Sequence, residues 1–169
     1  VTNPVFVALD TMNFWIDGNR PELEKVLSKV DAVILNDSEA LQFSGELNYP
    51  KAARTISQFG PKIVIIKKGE HGAVLYHEGD FFTLPAYILE NVIDPTGAGD
   101  SFAGGFMGYI AQQNNLKNST IRSGMVNGTC TASFCCEDFG IKRLSSANKN
   151  DIDMRLRKFR ELVDISEIS

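Results

Sequence analysis

The run Asp94-Pro95-Thr96-Gly97-Ala98-Gly99-Asp100-Ser101-Phe102 carries the residue types and spacing best suited to chemistry. Three small residues free the backbone where a helix is predicted to begin. The first N–H groups of a helix lack intrahelical partners, and the dipole adds positive partial charge there. The backbone at Gly97, Ala98 and Gly99 is therefore a candidate anion hole. The same dipole favours the ionised form of Asp100. A carboxylate beside an anion hole would repel stored phosphate. It suits a hydroxyl that must be oriented and relieved of its proton while a phosphoryl group is transferred onto it.

Three other readings of the segment fail on residue identity. A dinucleotide fingerprint needs a small residue where Phe102 stands. A Walker P-loop needs Gly-Lys-Ser/Thr, which the chain lacks. Gly99-Asp100-Ser101 suggests a hydrolase serine, yet both histidines, His71 and His77, precede it, the reverse of the α/β-hydrolase order. A plain strand-to-helix turn with a capping Asp stays open from local pattern alone. Within the following helix, Gly104, Gly105 and Gly108 together cost roughly 2–3 kcal/mol of helix propensity. That cost predicts close approach by another backbone or a ligand, while Phe102, Phe106, Tyr109 and Ile110 form the apolar face.

Strands and helices alternate before this segment. Strands are predicted at Val5–Leu9 (buried on both faces), 32–35 and Ile63–Ile66, with helices at Pro21–Val30, Ser38–Phe43 (capped by Asp37) and Pro50–Phe59. This order implies an α/β fold with a mainly parallel sheet. A hairpin follows, Ala73–Tyr76 and Phe81–Leu84, with a loop at His77–Asp80. Val92-Ile93 leads into the Asp94 segment. Helices are then expected at Ala98–Gln113, Ser119–Cys136 and Lys149–Val163. No linker or repeat interrupts the chain, so residues 1–169 read as a single domain or part of one.

The chain has 169 residues, 43% hydrophobic and 22% charged, which excludes wholesale disorder and fibrous classes. Its 17 basic against 21 acidic residues speak against a nucleic-acid partner. Its apolar runs fall short of a membrane span, and no leader pattern opens the sequence, so a cytoplasmic setting is expected. Cys130, Cys135 and Cys136 have neither redox nor zinc spacing and read as core. His71 reads as a solvated loop residue and His77 as part of the hairpin loop. Arg155, Arg157, Lys158 and Arg160 read as a solvated helix face.

The Asp94–Phe102 segment with Gly104-Gly105-Phe106 resembles the C-terminal signature of the ribokinase-like (PfkB) carbohydrate and nucleoside kinases. Further matches occur in family order over about residues 4–146. Asn36-Asp37-Ser38-Glu39 resembles the Asn-x-x-Glu motif, and Gly69-Glu70-His71-Gly72 the loop lining the nucleotide site. Residues 132–140 resemble the helix end and loop that close over the adenine. The resemblance implies a ribokinase-like three-layer sandwich and transfer of the ATP γ-phosphoryl group to a hydroxyl of a sugar or sugar-like molecule. A nucleoside (adenosine-like) kinase and a non-catalytic nucleotide-binding regulatory relative are the alternatives.

By that resemblance Asp100 is the catalytic base and Gly97, Ala98 and Gly99 the anion hole. Lys67, Gly69, Gly72 and Thr129 lie at the nucleotide. Asn36 and Glu39 organise Mg2+, mainly through water, although without the second motif a helix-start cap is the better reading of that pair. Asp94 and Thr96 lie at a monovalent-cation (K+) site, completed by carbonyls around Cys135, Asp138 and Gly140. The expected cofactors are thus ATP, Mg2+ and K+, and the resemblance admits a homodimer in the full-length protein.

Two departures qualify the match. Lys67 replaces a small hydroxyl residue, and Asp10–Trp15 fits the family's Asp-x-Asn segment only loosely, so Asp10 and Asn13 receive no role. Family members also carry an N-terminal half with sugar-binding glycines and a carboxylate, plus a β lid. The chain opens at Val1 without them, so it is expected to be the C-terminal, nucleotide-binding and catalytic part. By itself it should bind nucleotide weakly and lack sugar kinase activity.

Overall fold

The structure is a computed structural model that describes residues 4–164 and 166. The chain divides into two compact units, residues 1–83 and 84–169.

The first unit is built on one sheet in the order β1-β2-β3-β4-β5. β1 (Ala8–Asp10), β2 (Ala32–Asn36) and β3 (Ile63–Lys67) run parallel. β4 (Ala73–His77) is antiparallel to β3. β5 (Asp80–Leu84) follows after the two residues Glu78 and Gly79, both at positive φ (52° and 88°), as a two-residue hairpin turn demands. The hairpin loop is thus shorter than expected, and His77 is a buried residue of β4 instead of a loop residue.

Four helices join these strands: α1 (Asn13–Gly18), α2 (Arg20–Leu27), α3 (Asp37–Ser44) and α4 (Tyr49–Ser57). Alternate strand residues Val33, Leu35, Val64 and Ile66 share one core with Leu23, Leu27, Ala40, Phe43, Ala53 and Ile56. The other set, Ile34, Ile63 and Ile65, is equally buried, so β2 and β3 are covered on both faces. β1 is not. It is a three-residue, half-buried strand at the sheet edge, paired among the described residues with β2 alone, which corrects the longer buried strand expected at Val5–Leu9.

The second unit centres on α5 (Ala98–Gln113) packed against α6 (Asn118–Cys135), followed by α7 (Lys142–Ser146) and α8 (Lys149–Leu162). Small residues set how closely α5 and α6 approach. A Cβ on Gly124 would meet Phe106 Cδ2 at 2.9 Å, and one on Gly128 would meet the Phe102 carbonyl oxygen at 2.8 Å. A Cβ on Gly105 would meet Thr131 Cβ at 2.7 Å and the Asn127 carbonyl oxygen at 3.1 Å. Gly105 thus fulfils the close approach predicted for the α5 glycines. Gly104 and Gly108 do not, because a Cβ at either would enter open space. Phe102, Phe106 and Ile110 are buried as expected, but Tyr109 is only half-buried.

The basic cluster on α8 also divides. Arg157 and Lys158 are exposed, but Arg155 turns inward. Its Nη1 donates to Ser133 Oγ at 2.9 Å and its Nη2 to Glu137 Oε1 at 2.6 Å. Its guanidinium carbon sits 3.6 Å from the Phe134 ring centroid, an arrangement that holds the end of α6 against α8.

Candidate active site

Each unit presents one group of the candidate residues. On the first, they gather at the C-terminal ends of neighbouring parallel strands, the end of an α/β sheet where ligands bind. Asn36 ends β2 and Lys67 ends β3, directly paired in register. Asn36 is the N-cap of α3, so it displaces the expected cap Asp37, which is the first helical residue. Asn36 Oδ1 accepts the Glu39 N–H at 2.8 Å and Glu39 Oε2 accepts the Asn36 N–H at 2.8 Å, a reciprocal capping box. Glu39 is only 6% exposed, and burial pushes its carboxyl above the usual carboxylate range against the lowering effect of the Asn36 N–H.

Lys67 Nζ donates to Asp10 Oδ2 at 3.3 Å, a contact missed in the sequence because 57 positions separate the two residues. Parallel strands alone bring those ends together. Beyond Lys67 the chain turns through a single 3₁₀ turn, Gly69–His71, with Gly69 at φ +55° and Gly72 at φ +84°. The Lys68 N–H donates to the Gly72 carbonyl at 2.7 Å and closes the loop. His71 is exposed there, as expected.

On the second unit Gly97 is the N-cap of α5, at φ +82°, a left-handed conformation that favours glycine. Among the described residues no side chain caps this end. Ala98 N–H is already committed to the Pro95 carbonyl at 3.0 Å. Among the described residues no backbone carbonyl accepts the N–H of Gly97, Gly99 or Asp100. Of the three N–H groups expected to form an anion hole, those of Gly97 and Gly99 are uncommitted and that of Ala98 is taken, while Asp100 N–H is a further uncommitted donor. The Asp100 side chain is exposed in the same first turn, so carboxylate and uncommitted donors share one helix end.

Asp94 ties this turn to the loop after α6. Its Oδ1 accepts the Thr96 N–H at 3.0 Å and its Oδ2 the Gly140 N–H at 3.5 Å, and the Thr96 bond chiefly holds its carboxyl below the ordinary range. Thr96 and Gly140 carbonyls both face Cys135 Sγ. Thr129 lies on α6 only 7% exposed, which leaves little of it for a ligand to touch. Cys130 is buried, and desolvation pushes its thiol up to about 12, so it behaves as core. Among the described residues no cluster of three or more His, Cys, Asp or Glu side chains could hold a metal.

Residues 5–137 match the pfkB family carbohydrate kinases. The chain belongs to that family. Among similar proteins, the cytidine kinase of Thermococcus kodakarensis is 42% identical over 93 residues, covering 53% of this chain and 33% of the relative. A nucleoside kinase of Methanothermobacter thermautotrophicus is 30% identical over 122 residues, 72% of this chain and 37% of the relative. The crystal structure of aminoimidazole riboside kinase from Salmonella enterica, complexed with aminoimidazole riboside and an ATP analog, superposes with a TM-score of 0.78 at 21% identity. It covers 89% of this chain and 52% of that one, and at this identity the likeness shows the ribokinase-like fold. This pfkB chain thus spans a third to a half of the length of the proteins it matches.

Proposed function

We propose that the intact protein carrying this chain transfers the γ-phosphoryl group of ATP to a hydroxyl of a sugar, a nucleoside or a similar small molecule. The observation that carries this reading is the head of α5, where Asp100 shares one helix end with uncommitted N–H donors. In that role Asp100 accepts the proton of the acceptor hydroxyl as the oxygen attacks phosphorus. The N–H groups of Gly97, Gly99 and Asp100 stabilise the charge on the transferring group, with no reorganisation at the moment of reaction. The two units are read as parts of one kinase domain. Residues on the first are assigned to the same reaction by family resemblance.

Mg2+ travels with ATP in this reading and would neutralise charge on the phosphates. Asn36 and Glu39 would hold it through water. One nearly buried carboxylate with a single oxygen pinned by backbone suits an ion that keeps most of its waters. The charge that burial disfavours on Glu39 is the charge a cation would restore. Gly69, Gly72 and Lys67 would border the nucleotide. The Thr96 and Gly140 carbonyls offer the oxygen donors that K+ requires, whereas both Asp94 carboxylate oxygens already take backbone N–H groups. No helix among the described residues is long and apolar enough to cross a membrane, and a cytoplasmic setting is part of this proposal.

A nucleoside acceptor is favoured by one observation, the 42% identity to a protein named cytidine kinase. The test is ADP release by the intact protein with Mg2+ and ATP against a panel of nucleosides and free sugars. Acceptor-dependent release supports the proposal. ATP binding without acceptor-dependent release from any member favours a non-catalytic relative.

A further inference from the structure

The turn at the head of α5 is stitched to the end of α6 by groups that take no part in proton transfer. Besides the two Asp94 bonds, Ile93 N–H donates to the Cys136 carbonyl at 2.9 Å. Cys135 sits among these bonds, 1% exposed, at the last residue of α6. Its Sγ is 3.3 Å from the Thr96 carbonyl oxygen and 3.6 Å from that of Gly140. A thiol carries one proton and donates weakly, so it serves one carbonyl at a time, and Thr96 is the nearer. The sulfur also lies 3.6 Å from the position a Cβ on Gly97 would occupy, so it packs against the residue that starts α5.

Peptide planarity turns this contact into an orientation. The Thr96 carbonyl and the Gly97 N–H belong to one rigid trans unit and point in opposite directions. Whatever holds the carbonyl toward Cys135 aims the Gly97 N–H the other way. A glycine tolerates both hands of φ, so the chain alone does not select that orientation. Asp94 holds the next N–H back, that of Thr96, and the Ala98 N–H closes the turn onto the Pro95 carbonyl, but neither bonds the carbonyl or N–H of the 96–97 plane itself.

We infer that Cys135 is a positioning residue, whose thiol holds the Thr96 carbonyl and thereby directs the Gly97 N–H within the anion-hole turn. Its effect on turnover rests on the kinase reading above; its effect on the backbone does not.

The test uses the intact protein with Cys135→Ala, Cys135→Ser and Cys135→Val. Cys130→Ala, at an equally buried cysteine of the same helix, is the control for losing a buried thiol. Val fills the site, with one extra methyl and no donor, and preserves the test if the Ala variant folds poorly. Amide hydrogen exchange over residues 94–100 is measured without nucleotide, and steady-state kinetics with Mg2+ and ATP.

Exchange in that segment should rise about fivefold or more in the Ala and Val variants, recover most of the way in Ser, and stay unchanged in Cys130→Ala. Turnover should fall with Ala and Val and return with Ser, with the acceptor KM unmoved. Unchanged exchange in both Ala and Val, or a Ser variant as fast as Ala, overturns the inference. The exchange pattern across the variants, with no kinase activity in the wild-type protein, would refute the kinase reading and leave the positioning role standing. Kinase activity with flat exchange does the reverse.

Discussion

Asn36 and Glu39 cap each other across the start of α3, each side chain accepting the other's backbone N–H at 2.8 Å. The same geometry serves the helix and presents a nearly buried carboxylate at the strand ends. These roles coincide because a reciprocal cap occupies one carboxylate oxygen, Oε2, and leaves Oε1 for water or an ion.

This pair sets a pH dependence. Burial holds the Glu39 carboxyl above its ordinary range, so the folded chain binds that proton more tightly than the unfolded one. Its contribution to stability is greatest in acid and falls as pH rises through the carboxylate range. Glu39→Gln retains a capping-box partner and removes the fall. Denaturant midpoints without Mg2+ should nearly coincide below about pH 4 and favour the variant at neutral pH. A wild-type protein that gains on the variant as pH rises would contradict this.

The glycines of α5 should separate by environment. Gly105→Ala drives a methyl into Thr131 and the Asn127 carbonyl and should cost about 1–3 kcal/mol. Gly104→Ala and Gly108→Ala meet nothing within 4 Å and should each gain about 0.5–1 kcal/mol from helix propensity. Urea unfolding of the three variants measures the split, and a stabilising Gly105→Ala would show that α6 can move aside.

Arg155→Ala should destabilise by about 1–3 kcal/mol, because it removes the 2.6 Å partner of Glu137, leaving Arg143 at 3.5 Å, and strips the nearer guanidinium from Phe134. Arg155→Lys should recover only part of that loss, since an ammonium cannot bond Ser133 and Glu137 as a planar fork while stacking on the ring. Thermal unfolding of both variants decides it, and full recovery with Lys would reduce the role of Arg155 to charge.

Much of this architecture was legible in the residues. The short, β-branched apolar runs of β2 and β3 read as strands, and α5 starts at Ala98 and ends at Gln113 in keeping with the Gly97 punctuation and the Phe102-Phe106-Ile110 spacing. The short helices α1 and α7 escaped notice because five or six residues cannot display a helical period. Arg155 looked solvated because its helix carries charges all round; the positions of Ser133, Phe134 and Glu137 turn it inward. The commitment of Ala98 N–H to Pro95 and the contact of Cys135 with Thr96 depend on backbone direction, which side-chain types do not encode. The Lys67–Asp10 pair depends on strand register.

In the proposed reaction Asp100 takes the acceptor proton during phosphoryl transfer. The most direct measurement is steady-state turnover of the intact protein and its Asp100→Asn variant with Mg2+, ATP and the best acceptor, beside ATP binding by calorimetry. With Asp100 as the base, kcat should fall by about 10²–10⁴-fold in the variant while ATP affinity changes by less than about threefold. An Asn variant that turns over within about tenfold of wild type would contradict it, because general-base catalysis normally supplies more than that.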